Sequence, residues 1–148
     1  MATQFSAVIR RNGIPALAVQ IGSRSRQVVD DTGQAIRDLA AVLAPRDTGS
    51  LQESFYIGNG ETSDYALRAG AARSRNRSAV IVPEVLPEFA LTLSGEGGGY
   101  TVVVGSAVQH ALFQEFGTRF QSAQPSLIPA VEANREAFVA AMGHVADA

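Results

Sequence analysis

Between Arg26 and Leu43 the apolar positions Val28, Val29, Thr32, Ala35, Ile36, Leu39, Val42 and Leu43 recur at offsets of three and four. That spacing puts them on one side of a helix, with Asp30, Asp31, Gln34, Arg37 and Asp38 opposite. Upstream, Phe5, Ala7 and Ile9 alternate as on a short strand, Asn12-Gly13 marks a turn, and Pro15 suits a helical first turn. Pro45 ends the long helix at Ala44, because the residue before a proline avoids the helical region. Arg46-Asp47-Thr48-Gly49-Ser50 is turn and cap chemistry, and Ser50 with Glu53 predicts a capping box on one short helical turn. A strand follows from near Ser54 to Ile57 and stops at Gly58-Asn59-Gly60. From Thr62 to Val85 no period is visible, and Pro83 and Pro87 bracket a short extended piece.

The pattern then sharpens. Phe89, Leu91 and Leu93, then Tyr100, Val102 and Val104, alternate as the strands of a hairpin, and Gly95-Glu96-Gly97-Gly98-Gly99 supplies its tight connection. A helix over Ala107–Phe116 is expected to turn Val108, Leu112 and Phe116 inward, with Gly117 left-handed at its C-terminus. The last helix starts after Gln124-Pro125-Ser126, with Ser126 as its cap and Pro129 in its first turn. Its apolar face is Leu127, Val131, Phe138, Ala141, Met142 and Val145. The prediction is an α+β fold: an antiparallel sheet packed against a long N-terminal helix, with a shorter helix and a C-terminal helix. Its core should join Val28, Ile36, Leu39 and Leu43 to the hairpin strands, Leu112, Phe116, Phe138 and Met142.

Composition narrows the chemistry more than it adds to the fold. At 148 residues, 46% hydrophobic and 18% charged, the expectation is one globular domain over residues 1–148. No apolar run is long enough to span a bilayer, and Met1-Ala2-Thr3-Gln4-Phe5 lacks the marks of a signal peptide. The protein is therefore expected to stay in the cytoplasm unless it is carried out inside an assembly. There is no Cys, and all 12 basic residues are Arg. Thiolate nucleophiles, lysine Schiff bases and a phosphate-loop lysine are excluded. The two His, His110 and His144, are not spaced as metal ligands. The glycines at 95–99 lead into a strand, where a phosphate loop opens a helix. His110 and Glu115 lack the third group that an acid–base site requires. No catalytic residue, cofactor or metal site is expected.

One charge feature stands out. Arg68, Arg73, Arg75 and Arg77 lie in a stretch, Tyr65–Pro83, with no acid, whose +4 leaves −6 on the rest of a chain of net charge −2. Such a segment can contact DNA phosphates, dock on an acidic patch of a neighbouring copy, or stay solvated, and the charge pattern leaves all three open. Having few large apolar residues, residues 62–87 are expected to form an extended basic loop or arm that orders only on assembly.

Two blocks are more specific than any periodicity. Ala44-Pro45-Arg46-Asp47-Thr48-Gly49-Ser50-Leu51 comes directly off the long helix. Ala111-Leu112-Phe113-Gln114-Glu115-Phe116-Gly117-Thr118 is followed by Ala123-Gln124-Pro125-Ser126-Leu127-Ile128-Pro129-Ala130. In this order they resemble the motifs of the tail-completion, or head–tail joining, proteins of long-tailed double-stranded DNA phages. His110 and Ser126 stand where that family usually has Tyr and Phe, and the Thr62–Pro87 stretch is longer than its core. The resemblance implies a non-catalytic virion protein of the neck, forming a ring of six-fold symmetry. Its implied partners are a head-side connector or stopper and a tail terminator or tail-tube protein, with genomic DNA in the channel. The motif residues Pro45, Asp47, Thr48, Gly49, Leu51, Phe116, Gly117, Pro125 and Pro129 have structural roles, in turns, caps and packing. Arg68, Arg73, Arg75, Arg77, His110, Glu115 and Thr118 are the candidates for subunit or DNA contact. For Glu115 and Thr118, local capping competes with a polar contact between subunits.

Overall fold

The long amphipathic segment forms α1 (Pro15–Leu43), 29 residues that open on a proline whose missing N–H would have been unpaired there anyway. The computed structural model describes residues 4–8, 15–59, 62–84, 90–96 and 100–147. Along the chain, β1 (Gln4–Val8) and α1 precede α2 (Ser50–Ser54), β2 (Phe55–Gly58) and α3 (Tyr65–Arg75). Then come β3 (Ala90–Glu96), β4 (Thr101–Ser106), α4 (His110–Phe116) and α5 (Leu127–Asp147). The strands form one sheet in the order β1-β3-β4-β2. The expected hairpin pairs Leu91 with Val104 and Leu93 with Val102, antiparallel, and β2 pairs antiparallel with the other edge of β4. Added to this antiparallel core, β1 runs parallel to β3. Gly97–Gly99 and Phe89 lie outside the described residues, as do the side chains of Phe5, Leu91 and Leu93.

The fold class is the one the pattern predicts, but the face α1 buries is not. Ser25, Val29, Gly33, Ile36, Ala40 and Ala44 are buried, whereas Val42 is 67% and Leu43 44% exposed. Val28 and Leu39 are partly buried at the margin. The reason is crowding: α1 lies between the sheet and α5. A Cβ at Gly33 would meet Val102 Cγ1 at 2.8 Å and Ile57 Cδ1 at 2.9 Å, so the helix approaches the sheet through its smallest residues. Against the other side of α1, α5 buries Leu127, Val131, Phe138 and Val145, with Met142 partly buried, as its spacing predicts.

Buried polar groups tie these layers together. Val108 N–H donates to Ser106 Oγ at 3.3 Å, and Ser54 Oγ donates to the Leu51 carbonyl at 2.6 Å. Since the Ser54 proton is used, Ser106 must donate in the 2.7 Å contact between the two hydroxyls. Tyr100, immediately before β4, donates to Asp30 of α1 at 2.6 Å and accepts from Asn59 at 3.2 Å. Burial, and then the bond to Asp30, raise its phenol above the ordinary range.

The stretch expected as an arm contains α3. Ala72 is fully buried, and α3 packs on α2 and β2 through small residues that periodicity arguments weigh lightly. Tyr65 stacks edge-on against the buried Tyr56, centroids 5.2 Å apart, and its hydroxyl donates to the Val82 carbonyl. The segment from Val80 to Val82 is held beside Ala107–Gln109 by backbone bonds of 2.9 Å. Residues 65–75 thus form a helix where the sequence predicts an extended basic loop.

Candidate functional site

The first motif block makes the turn between α1 and α2. Gly49 has φ 81° and ψ −1°, a left-handed conformation that favours glycine, and Leu51 beyond it is buried. Thr48 Oγ1 accepts from Ser50 N–H at 3.3 Å. The capping box does not form. Ser50 is already helical and buried, its hydroxyl donating to the Ala72 carbonyl at 3.0 Å, and Glu53 turns towards arginines instead.

Those arginines are the cluster on α3. Arg68 lies 3.1 Å from Asp64 and 4.0 Å from Glu53, and Arg75 lies 3.6 Å from Glu53. Asp64 also binds Arg37 at 3.3 Å and accepts from the Ile57 N–H at 2.7 Å. The acids that Arg68 and Arg75 need therefore come from their own chain, from positions just before the basic stretch. Arg73 and Arg77 are exposed and make no ion pair with a described residue. The structure thus splits a cluster that sequence treats as one unit.

The two halves of the second motif block build a joint between α4 and α5. Glu115 projects from α4 to the start of α5, where its Oε1 accepts from Ser126 N–H at 2.6 Å, from Leu127 N–H, and from Ser126 Oγ at 3.1 Å. Its Oε2 accepts from Ile128 N–H at 3.3 Å. Position 129 is proline, with no N–H to satisfy, and Ala130 N–H makes the first bond within the helix, to the Ser126 carbonyl at 3.2 Å. Every otherwise orphaned donor at this helix end is thereby paired or absent. A carboxylate at the positive end of the α5 dipole adds to the effect. Ser126 occupies the cap position, but its hydroxyl serves Glu115 and not the backbone.

Between the helices, Gly117 takes φ 73° and ψ 175°, a region open essentially to glycine alone. A Cβ there would meet Ala123 N at 2.8 Å and Gln121 O at 3.0 Å. The positive φ is as expected, whereas the extended ψ departs from the helical left-handed form. Thr118 closes a tight turn, its N–H donating to the Gln121 carbonyl at 2.8 Å and its Oγ1 accepting from Phe120 N–H at 3.2 Å. At the other end of α4, His110 is half-buried. Burial lowers its imidazole below the ordinary range, while the charge of Asp47 pulls the other way.

Phe116, expected in the core, is 55% exposed. With Gly117 turning the chain back towards α5, the inward side of α4 is taken by the buried Ala111, and Phe116 faces out. Phe113 is also exposed, and Phe120, at the tip of the turn, is 84% exposed with Arg119 stacked 4.5 Å above its ring. Of the five phenylalanines whose side chains are described, Phe55 and Phe138 are buried, and the three exposed ones fall within eight consecutive positions. Sequence reasoning missed Phe113 and Phe120. The available signal was three phenylalanines within about one turn of Gly117.

Among the described residues no three His, Asp or Glu side chains are placed to hold a metal ion, and no helix is long and apolar enough to cross a membrane. No curated protein and no solved structure matches the chain. One family model does, over residues 13–117, from just before α1 to Gly117; its description reads "Bacteriophage HK97-gp10, putative tail-component". That span covers most of the chain and includes the α1–α2 turn and all of α4, so the protein belongs to the HK97-gp10-like family of bacteriophage tail components.

Proposed function

We propose that this tail component is a ring-forming tail-completion or head–tail connector protein of the phage neck, assembled in the host cytoplasm and carried in the virion. The observation that carries this is the aromatic corner of Phe113, Phe116 and Phe120, exposed on a chain of a tail-component family. Clustered apolar exposure of this kind marks a contact surface. The partners are further copies of the chain, arranged in a six-fold ring, together with a head-side connector or stopper and a tail terminator or tail-tube protein. The role is structural, without catalysis. Electron microscopy of particles carrying a labelled copy tests it: density in a ring between head and tail supports the proposal, and label along the tail shaft or at its tip overturns it.

A second role, contact with DNA in the channel, has a specific observation in its favour: Arg73 and Arg77 are exposed and free of ion pairs with described residues. Two phosphate contacts per subunit would give a salt slope of about −2 on duplex DNA. Arg73→Ser with Arg77→Ser should abolish that slope while leaving the fold intact. A wild-type protein with no salt-dependent DNA binding would exclude this role.

A further inference from the structure

Resting on the ring reading, we infer which surfaces meet between copies: the aromatic corner of one subunit seats on the outer face of α5 of the next. The corner offers Phe113, Phe116 and Phe120 with the guanidinium of Arg119, which has no ion pair with a described residue. It offers no free carboxylate, because Glu115 is committed to the start of α5. A surface that is apolar and cationic calls for one that is apolar and anionic.

The same chain carries that complement. On α5, Glu132, Glu136, Val139, Ala140 and Gly143 are exposed and recur at helical spacing, on the side away from the buried Val131 and Phe138. Val139 is 62% exposed, with Glu136 one turn and Glu132 two turns before it and a glycine one turn after. A Cβ at Gly143 would meet nothing within 4 Å, so an aromatic ring has room to approach there. Among the described residues, Glu132 is engaged only by the exposed Arg135, at 3.4 Å one turn away, and Glu136 by no cation. Pairing corner to corner would instead set Arg119 against Arg119 and leave Glu136 without a described cation. Charge complementarity therefore favours a head-to-tail contact, the kind that closes into rings.

The chain lacks cysteine, so introduced thiols report contacts without background. Gln121→Cys and Ala140→Cys, both exposed and adjacent to the contact, are purified separately, mixed, and treated with a short bismaleimide. The expected result is a 121–140 cross-link between copies, and a ladder extending beyond dimers when one chain carries both changes. Arg119→Glu should raise the concentration needed for assembly about tenfold or more, with the melting temperature unchanged, and adding Glu136→Arg should restore it. Oligomers that form without the 121–140 cross-link overturn this contact and leave the ring reading standing. A ladder that stops at dimers, or corner variants that assemble normally but no longer join a different tail protein, also overturn it. A chain that stays monomeric up to millimolar concentration, without cross-links, overturns both.

Discussion

Replacing Glu115 with alanine should cost far more than a half-exposed helical glutamate ordinarily does. One carboxylate accepts from three backbone N–H groups and one hydroxyl at the start of α5, and two of those N–H groups belong to the buried Ser126 and Leu127. Loss of a helix cap costs about 1 kcal/mol. Loss of the charge at the helix dipole adds about 0.3–1 kcal/mol. A buried donor left without an acceptor adds about 1–3 kcal/mol, reduced to the extent that water reaches it. The expected total for Glu115→Ala is about 2–4 kcal/mol, or roughly 4–16 °C in melting temperature for a chain of this length. Glu115→Gln keeps an acceptor oxygen but loses the charge and should fall between alanine and wild type. Urea and thermal unfolding followed by circular dichroism give both numbers. Glu115→Ala within about 0.5 kcal/mol of wild type would refute the capping argument, since that is the scale of an ordinary surface substitution.

Four further outcomes follow from the same structure. Gly117→Ala should cost about 1–3 kcal/mol from backbone conformation alone, and more from the 2.8 Å approach to Ala123 N; equal stability in urea would show that the corner can rearrange. Gly33→Ala should cost about 1–3 kcal/mol by pushing α1 off Val102 and Ile57, the sign opposite to that of an exposed helical glycine, where alanine stabilises. Phe116→Ala should change monomer stability by less than about 1 kcal/mol, well below the cost of emptying a buried aromatic site, and a larger loss in urea would return Phe116 to the core. Because burial lowers the His110 pKa from its ordinary 6.5, the unfolded chain binds more protons there, so stability should fall as pH drops below that value and be flat above it. His110→Gln should remove that part of the slope, and identical urea midpoints against pH in both proteins would refute the assignment.

Local chemistry was enough to specify much of this protein. The offsets of α1 and α5, the alternation of the β3–β4 hairpin, the proline that ends α1 and the glycines at 49 and 117 each follow from backbone sterics or side-chain period, which act within a few residues. The two motif blocks were likewise visible as turn and cap sequences. What tertiary structure decided was where space and partners lie. Only the approach of the sheet and α5 determined that α1 buries Gly33 and Ala40 while Val42 faces out, because packing selects small residues where elements crowd. Only the fold brought Asp64 and Glu53 to Arg68 and Arg75, making half of a basic cluster internal. Glu115 reaches a helix 12 residues further on by way of a glycine corner, so its role as cap became definite only when both helix ends were placed. The same corner turned Phe116 outward, because a chain that doubles back at Gly117 cannot present both sides of α4 to one core.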